Sequence, residues 1–191
     1  VRMCLVTAHE AGLKGRVTFI KAGVKPQEVN EALQKLSPIA KIPVLETDHG
    51  HGVHDSRVIM EYLVHVSGKT DLLPSDGVKR FRILTLLATA QGAADAAVSL
   101  RYEQMARPEG KRWEEFLERQ KHRVLATLEE LERNWMDALA TPTLGTIAAA
   151  CMIGYVDFRH GYLGWQKDHP ALADFAKNFA ARESMAAWPL A

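Results

Sequence analysis

Two neighbouring segments decide the fold: Lys41-Ile42-Pro43-Val44-Leu45-Glu46 and Asp55-Ser56-Arg57-Val58-Ile59-Met60-Glu61-Tyr62-Leu63. Pro43 has no N–H to donate to a sheet, which predicts the first residue of a strand or a turn with a cis X-Pro bond. Ile42 precedes a proline and therefore favours an extended backbone, so its N–H and C=O could meet a peptide-like ligand. Ser56 is a good N-cap, and the free N–H groups of a helix start attract a carboxylate. Together the segments predict a site for a small peptide-like acid.

Composition narrows the class of protein. The 191 residues carry a net charge of +1, with 47% hydrophobic and 25% charged residues. This balance gives no electrostatic argument for nucleic acid or an anionic membrane as a partner. No run approaches the roughly 18 apolar residues of a membrane span, and no secretory signal is visible. Cys4 and Cys151 lie in apolar settings and are predicted to be buried thiols. We expect a cytoplasmic protein.

The first 70 residues alternate helical and strand-like patterns. Helices are predicted over residues 2–11, with Gly12 as the stop, over about 27–36 after the break at Lys25-Pro26, and from Ser56 to Ser67. Strands are predicted over residues 16–20 and 43–47, with a hairpin turn at 48–52 and a return at 53–54. The order is α-β-α-β-β-α. One more strand in front would complete the thioredoxin-like order β-α-β-α-β-β-α.

That additional strand carries an expectation about the chain itself. It would be the central strand of the sheet, and its loss would leave buried backbone groups unpaired at about 1–3 kcal/mol each. Several such losses would be enough to prevent folding, since the total stability of a protein is only about 5–15 kcal/mol. We therefore expect about one strand and its flanks, roughly ten residues, ahead of Val1. An intact mass of 21.2 kDa would refute this expectation.

Beyond a linker at residues 69–75 the strand signals end, and residues 76–191 read as an all-helical domain. The first long helix is predicted over about 77–105, with Phe81, Leu84, Ala88 and Gln91 in register. The second helix is predicted to bury Trp113, Leu117, Val124, Leu128, Leu131 and Trp135. The third, which follows Thr143, is predicted to bury Leu144, Ile147, Ala148, Cys151 and Tyr155. The fourth, which starts at Pro170, is predicted to bury Leu172, Phe175 and Phe179.

The order and spacing of several motifs resemble cytosolic glutathione S-transferases, bacterial members in particular, over essentially the whole chain. The matching N-terminal pieces are Glu10-Ala11-Gly12-Leu13, Lys41-Ile42-Pro43-Val44-Leu45, Asp55-Ser56-Arg57-Val58-Ile59 and Glu61-Tyr62-Leu63. The matching helical pieces are Gly154-Tyr155-Val156-Asp157-Phe158-Arg159, His169-Pro170 and Arg182-Glu183-Ser184. The fold implied is an α/β thioredoxin-like N-terminal domain, residues 1–70, and an all-α C-terminal domain, residues 76–191.

The resemblance implies a glutathione site. The backbone of Ile42, beside a cis Pro43, would bind the cysteinyl part of glutathione, and Ser56 would hold the γ-glutamyl carboxylate. Asp55 would lie nearer the ammonium, and Lys41 could reach the glycine carboxylate. A helix cap at Asp55-Ser56 and a strand edge at Pro43 are the structural alternatives. Arg101, Tyr102 and Met105 are the residues that the resemblance implies for a second substrate.

The residue that activates the glutathione thiol is not among those that match. The family uses a Ser, Cys or Tyr at the end of the first strand or the start of the first helix, which would lie before Val1. Cys4 is one turn too deep and on the apolar face, so the catalytic residue is left unassigned.

Three further clusters are interpreted structurally. His49, His51 and His54 need not converge and are read as a solvated hairpin tip, with no metal expected. Asp157 and Arg159 are read as a packed ion pair. Thr143-Leu144-Gly145-Thr146 occupies the place of a capping box whose last residue is usually Asp, and Thr146 is a weaker partner than a carboxylate.

The resemblance implies a homodimeric glutathione transferase that conjugates the glutathione thiolate, as co-substrate, to a hydrophobic electrophile. Two alternatives use the same fold. One is a glutathione-dependent lyase, isomerase or disulfide reductase, and the other is a non-catalytic binding protein.

Overall fold

A computed structural model of the chain describes residues 1–23 and 28–190. The chain forms two compact units, Val1–Ser75 and Asp76–Ala191. The first unit contains α1 (Arg2–Glu10), a 3-10 turn (Lys14–Arg16), α2 (Glu31–Leu36), β1 (Leu45–Glu46), β2 (Gly52–Val53) and α3 (Ser56–Ser67).

The core of the first unit lies between α1 and α3. Val6 of α1 and Met60 of α3 are completely buried, and Ile59 and Leu63 are nearly so. Both helices end where the pattern predicts. Gly12 (φ 74°) follows α1, and Gly68 (φ 69°) caps α3 in the left-handed conformation that a side chain disfavours.

The predicted hairpin is confirmed, with strands shorter than expected. β1 and β2 pair antiparallel, with Leu45 opposite Val53 and Glu46 opposite Gly52. The turn is closed by the Thr47 N–H, which donates to the His51 carbonyl at 2.9 Å.

The strand predicted over residues 16–20 is wrong for the structure as described. Lys14–Arg16 form a 3-10 turn, and Val17 is extended (φ −111°, ψ 118°) but has no strand partner in residues 1–23 and 28–190. β-branched residues favour an extended backbone, but a ladder partner is what makes a strand. The predicted helix over residues 27–36 begins instead at Glu31, because the Asn30 side chain accepts the Leu33 N–H. The break at Lys25-Pro26 and the expected helix start at Gln27 lie outside the described residues.

The second unit is helical throughout its described part. Its helices are α4 (Gly77–Ala106), α5 (Glu114–Asn134), α6 (Met136–Leu139), α7 (Leu144–His160), α8 (Pro170–Ala180) and α9 (Glu183–Ala186), with 3-10 turns at Glu109–Lys111, Gly161–Leu163 and Trp165–Lys167. α7 is the central helix, with Leu144, Ile147 and Ala148 fully buried. It packs mainly against α4, and Gly145 permits the approach, since a Cβ there would lie 2.9 Å from the Ile83 carbonyl oxygen.

The buried face of α4 differs from the predicted one. Phe81 is 68% exposed and Ala88 is exposed, whereas Leu84 and Gln91 are half-buried. The buried residues are Ile83, Leu86, Leu87, Ala90, Ala93, Ala96, Ala97 and Leu100. Residues 83–100 offer apolar side chains on several faces, so the 3.6-residue period fits more than one stripe. Contact with α7 selects the stripe that is buried.

Four other predicted core positions are less buried than expected. Trp113 precedes α5 and is 63% exposed, because α5 begins one residue after it. Trp135, Tyr155 and Phe175 are half-buried. The remaining α5 positions predicted inward, among them Leu117, Val124, Leu128 and Leu131, are buried.

α4 also qualifies the prediction that no run approaches a membrane span. It is the one helix in the described part that is long and apolar enough to cross a membrane by length and composition alone. Core helices pass the same test, and α4 buries eight residues within the helical unit.

Candidate functional site

The hairpin brings the two decisive segments to the same end of the first unit. Ile42 and Pro43 lie just ahead of β1, and Asp55 and Ser56 lie just after β2, beyond the paired residues Leu45 and Val53. The Ile42–Pro43 bond is cis, which confirms that prediction. Ile42 is 43% exposed and Lys41 is also exposed, so these two residues lie at the surface of the first unit.

Asp55, and not Ser56, is the N-cap of α3, which corrects the prediction. The Asp55 carboxylate accepts the Arg57 N–H at 3.0 Å and a second hydrogen bond from the Arg57 guanidinium at 2.9 Å. Ser56 is the first helical residue, and only 7% of it is exposed. An N-cap must have a non-helical backbone, and Asp55 has it (φ −83°, ψ −165°).

The capping arrangement sets the electrostatics of the helix start. The hydrogen bond from the Arg57 side chain is the main reason that the pKa of Asp55 is lowered, and the Arg57 N–H adds to it. Asp55 therefore stays a carboxylate at neutral pH. The Asp55 carboxylate occupies the Arg57 N–H, and its negative charge favours an ammonium beside it.

Cys4 lies behind this helix start. Its Sγ is 3.7 Å from the Ser56 carbonyl oxygen, and burial raises the pKa of the thiol to about 11. A thiol with that pKa remains protonated at neutral pH and is a poor nucleophile or base. Cys4 thus links α1 to α3, and the prediction of buried thiols at Cys4 and Cys151 is confirmed.

The residues predicted for a second substrate occupy the last two turns of α4. Arg101 is half-buried, Tyr102 is 41% exposed and Met105 is 57% exposed. Their role stays a prediction. The sequence reading missed the neighbouring end of α7, where the His160 ring Nε2 lies 2.9 Å from the Ala97 carbonyl oxygen of α4. The available signal in the sequence was the position of His160, which directly follows the matching motif that ends at Arg159.

The predicted ion pair between Asp157 and Arg159 is wrong. The Asp157 carboxylate accepts hydrogen bonds from Trp165 Nε1 at 2.7 Å and Gln166 Nε2 at 2.8 Å. The Arg159 guanidinium lies 4.0 Å from the centre of the Phe158 ring. Residues two apart on a helix point in different directions, which prevents the pairing.

The histidines of the hairpin form no metal site in the structure as described. No group of three or more His, Cys, Asp or Glu side chains could hold a metal ion in residues 1–23 and 28–190.

A proline-containing loop and an acid-capped helix at one end of a hairpin, in a chain whose second unit is helical, agree with the glutathione-transferase type of protein that the sequence resembles. The family model "Glutathione S-transferase, N-terminal domain" matches residues 1–66, and "Glutathione S-transferase, C-terminal domain" matches residues 114–178. The chain belongs to the glutathione S-transferase family, with a thioredoxin-like N-terminal domain and a helical C-terminal domain.

Individual relatives agree with this assignment. The chain is 35% identical over 178 residues to YibF, an uncharacterized GST-like protein of Escherichia coli K12, covering 91% of this chain and 87% of YibF. A glutathione transferase family member from Pseudomonas fluorescens Pf-5, crystallised with bound glutathione, is 39% identical with a TM-score of 0.96, covering 100% of this chain and 94% of that one. A glutathione S-transferase from Methylobacillus flagellatus KT with glutathione bound is 30% identical with a TM-score of 0.85, covering 97% and 92%.

Proposed function

We propose that the protein binds glutathione and conjugates the glutathione thiolate to a small hydrophobic electrophile. The observation that carries this proposal is the position of the Ile42–Pro43 segment and of the Asp55–Ser56 helix start at the same end of the hairpin. The glutathione bound in the two crystallised relatives supports it, at 39% and 30% identity.

Each anchor suits one part of glutathione. The backbone of Ile42, a residue that lies at the surface, would pair with the cysteinyl amide, as one extended segment pairs with another. The Asp55 carboxylate would hold the γ-glutamyl ammonium, and Ser56 at the helix start would hold the adjoining carboxylate. Exposed Lys41 would reach the glycine carboxylate.

The reaction proposed is nucleophilic attack by the glutathione thiolate. The sulfur forms a bond to an electrophilic carbon, the leaving group departs with its electron pair, and the thiol proton passes to solvent. Cys4 does not activate the thiol, because its own group is buried and protonated. The catalytic residue is therefore not assigned.

One relative bears on the electrophile. The Pseudomonas fluorescens Pf-5 protein was also crystallised with S-(propanoic acid)-glutathione, at 38% identity and a TM-score of 0.90, covering 100% of this chain and 94% of that one. The substituent on that sulfur carries a carboxylate. This supports an acidic electrophile as one class of substrate for this chain.

Calorimetric titration with glutathione tests the proposal. The wild-type protein is expected to bind, and Ser56→Ala is expected to raise the dissociation constant about tenfold, equivalent to about 1.4 kcal/mol. Ser67→Ala is the matched control, because the Ser67 hydroxyl lies at the other end of α3, where it donates to the Val64 carbonyl and accepts the Lys69 N–H. A folded wild-type protein that binds no glutathione would refute the proposal.

A further inference from the structure

His160 is a fully buried histidine that joins two helices of the second unit. It lies in the last turn of α7, and its ring Nε2 is 2.9 Å from the carbonyl oxygen of Ala97 on α4. The exposed fraction of His160 is 0%. The packing of α4 against α7 is the main helix contact of the second unit, so the state of this side chain bears on the core of the unit.

The hydrogen bond to Ala97 fixes the protonation state of the ring. A carbonyl oxygen can only accept, so Nε2 carries the ring proton and donates it to Ala97. Nδ1 then holds a lone pair. This nitrogen is buried and has no hydrogen-bond partner among residues 1–23 and 28–190. A proton added to Nδ1 would create a buried charge whose N–H has no acceptor, which costs far more than a buried lone pair.

The groups around the ring do not offset such a charge. Tyr155 of α7 and Tyr162 of the following 3-10 turn contact the ring edge-on, with centroids 6.3 Å and 5.9 Å from its own. The charged groups that act on the ring are Arg101 of α4 and Arg159 of α7. Both are cations, so they repel an imidazolium.

Two effects on the charge of His160 oppose each other. The C-terminal end of a helix attracts a cation, and His160 lies at that end of α7. Burial removes the ring from water and disfavours its charged form. Burial has the larger effect, and the pKa of His160 is lowered from its ordinary value of 6.5. As the solution is acidified, the unfolded chain therefore takes up the proton before the folded chain does.

We propose that His160 is an acid-sensitive latch in the second unit: its neutral ring holds α4 against α7, and protonation of its buried Nδ1 in mild acid releases the two helices. The latch is a conformational device and is independent of the transferase function proposed above. The stability that it contributes is complete above about pH 6.5 and is lost as the pH falls from there toward the lowered pKa.

His160→Gln separates the hydrogen bond from the titration. A glutamine amide can donate to the Ala97 carbonyl, but it does not ionise. Urea unfolding followed by circular dichroism gives the unfolding equilibrium constant at about pH 7.5 and about pH 5.5. Between these values the constant of the wild type is expected to rise several-fold more than that of His160→Gln, to a limit of about tenfold for each unit by which the two pKa values differ.

His122→Gln is the matched control, because His122 is exposed on α5 and should follow the wild-type profile after the same substitution. A wild-type constant that changes with pH in the same way as that of His160→Gln would overturn the inference. So would a His122→Gln profile that departs from the wild type as far as the His160→Gln profile does.

A second measurement uses the wild-type protein and does not depend on the folding of a variant. Nitrogen-15 NMR of the histidine rings, with His160 assigned through its own backbone, is expected to show a neutral ring protonated at Nε2. Its signals should stay constant from about pH 8 to about pH 6, while those of His122 titrate. A His160 ring that titrates near pH 6.5 in the folded protein would overturn the inference. A ring protonated at Nδ1 would also overturn it, since Nε2 could not then donate to Ala97.

Discussion

Gly52 of β2 lies directly against the main chain of Leu36, the last residue of α2. A Cβ placed on Gly52 would overlap the Leu36 carbonyl oxygen and come within 2.8 Å of its carbon. Because both sides of this contact are backbone, neither can rotate away. Gly52→Ala is therefore expected to destabilise the protein by about 1–3 kcal/mol, the usual range for overpacking, measured by urea unfolding.

Gly92→Ala is the matched control for Gly52→Ala. Gly92 lies within α4, where a Cβ would meet no atom within 4 Å. Alanine is the better helix former, so this change should stabilise the helix by up to about 1 kcal/mol. Opposite signs for the two substitutions are expected. A Gly52→Ala protein as stable as the wild type would show that β2 and α2 can separate without loss.

Asp55→Asn tests the electrostatics of the helix cap. Asparagine caps a helix about as well as aspartate but does not titrate. Since the Arg57 side chain lowers the pKa of Asp55, the folded state keeps the charge below the ordinary pKa of 3.8. The stability from this charge is present above that value and is lost as the pH falls through the lowered pKa.

The pair is about half exposed, so the difference between wild type and Asp55→Asn should be less than about 1 kcal/mol at neutral pH. It should shrink as the solution is acidified, measured as the difference in melting temperature across the acid range. A difference that stays constant throughout would contradict the assignment of Arg57 as the cause.

Cys4→Ala tests the buried thiol at alkaline pH. The folded pKa of about 11 lies above the ordinary value of 9.0, so the unfolded chain releases the proton first. Stability from this group is complete below about pH 9 and is lost as the pH rises toward 11. A shift of this size corresponds to roughly 2–3 kcal/mol of pH-dependent stability, which the alanine variant should lack.

The measurement is the free energy of urea unfolding of the wild-type protein and of Cys4→Ala across this alkaline range. Other ionisable groups are the same in both proteins, so their contributions cancel in the difference. Parallel pH profiles would refute a strongly raised pKa. Retention of glutathione transfer by Cys4→Ala is also expected, and its loss would return Cys4 to the candidates for thiol activation.

The hairpin and the start of α3 could be predicted because local chemistry decides them. Pro43, the glycines of the turn and the Asp55–Ser56 pair each restrict the backbone within a few residues. The choice between Asp55 and Ser56 as the cap could not be made, since both side chains suit the position and only the backbone angles separate them.

The errors lie where distant contacts decide. Residues 16–20 have strand-like side chains, but pairing depends on a second segment of chain. Arg159 and Asp157 are near in sequence, yet the Trp165 indole, eight residues on from Asp157, takes the carboxylate. A local pattern of residues cannot rank such competing partners.

Thr146→Val tests whether a threonine can complete the cap of α7. The Thr146 N–H donates to Thr143 Oγ1 at 3.2 Å, and the Thr146 hydroxyl lies 2.7 Å from the Thr141 carbonyl. The two hydroxyls are 3.0 Å apart, so Thr143 can donate to Thr146 while Thr146 donates to Thr141. Every member then has a partner, and the weakness expected of a cap without aspartate is offset by the bond to residue 141.

Valine has nearly the shape of threonine but lacks the hydroxyl, so the buried Thr143 hydroxyl and the Thr141 carbonyl each lose a partner. We expect Thr146→Val to lower the free energy of unfolding by about 1–3 kcal/mol. Thr85→Val is the control, because the Thr85 hydroxyl bonds the Phe81 carbonyl on an exposed face of α4, where water can replace it. Equal losses of unfolding free energy in Thr146→Val and Thr85→Val would contradict this expectation, because they would show that burial at the start of α7 does not raise the cost of removing a threonine hydroxyl.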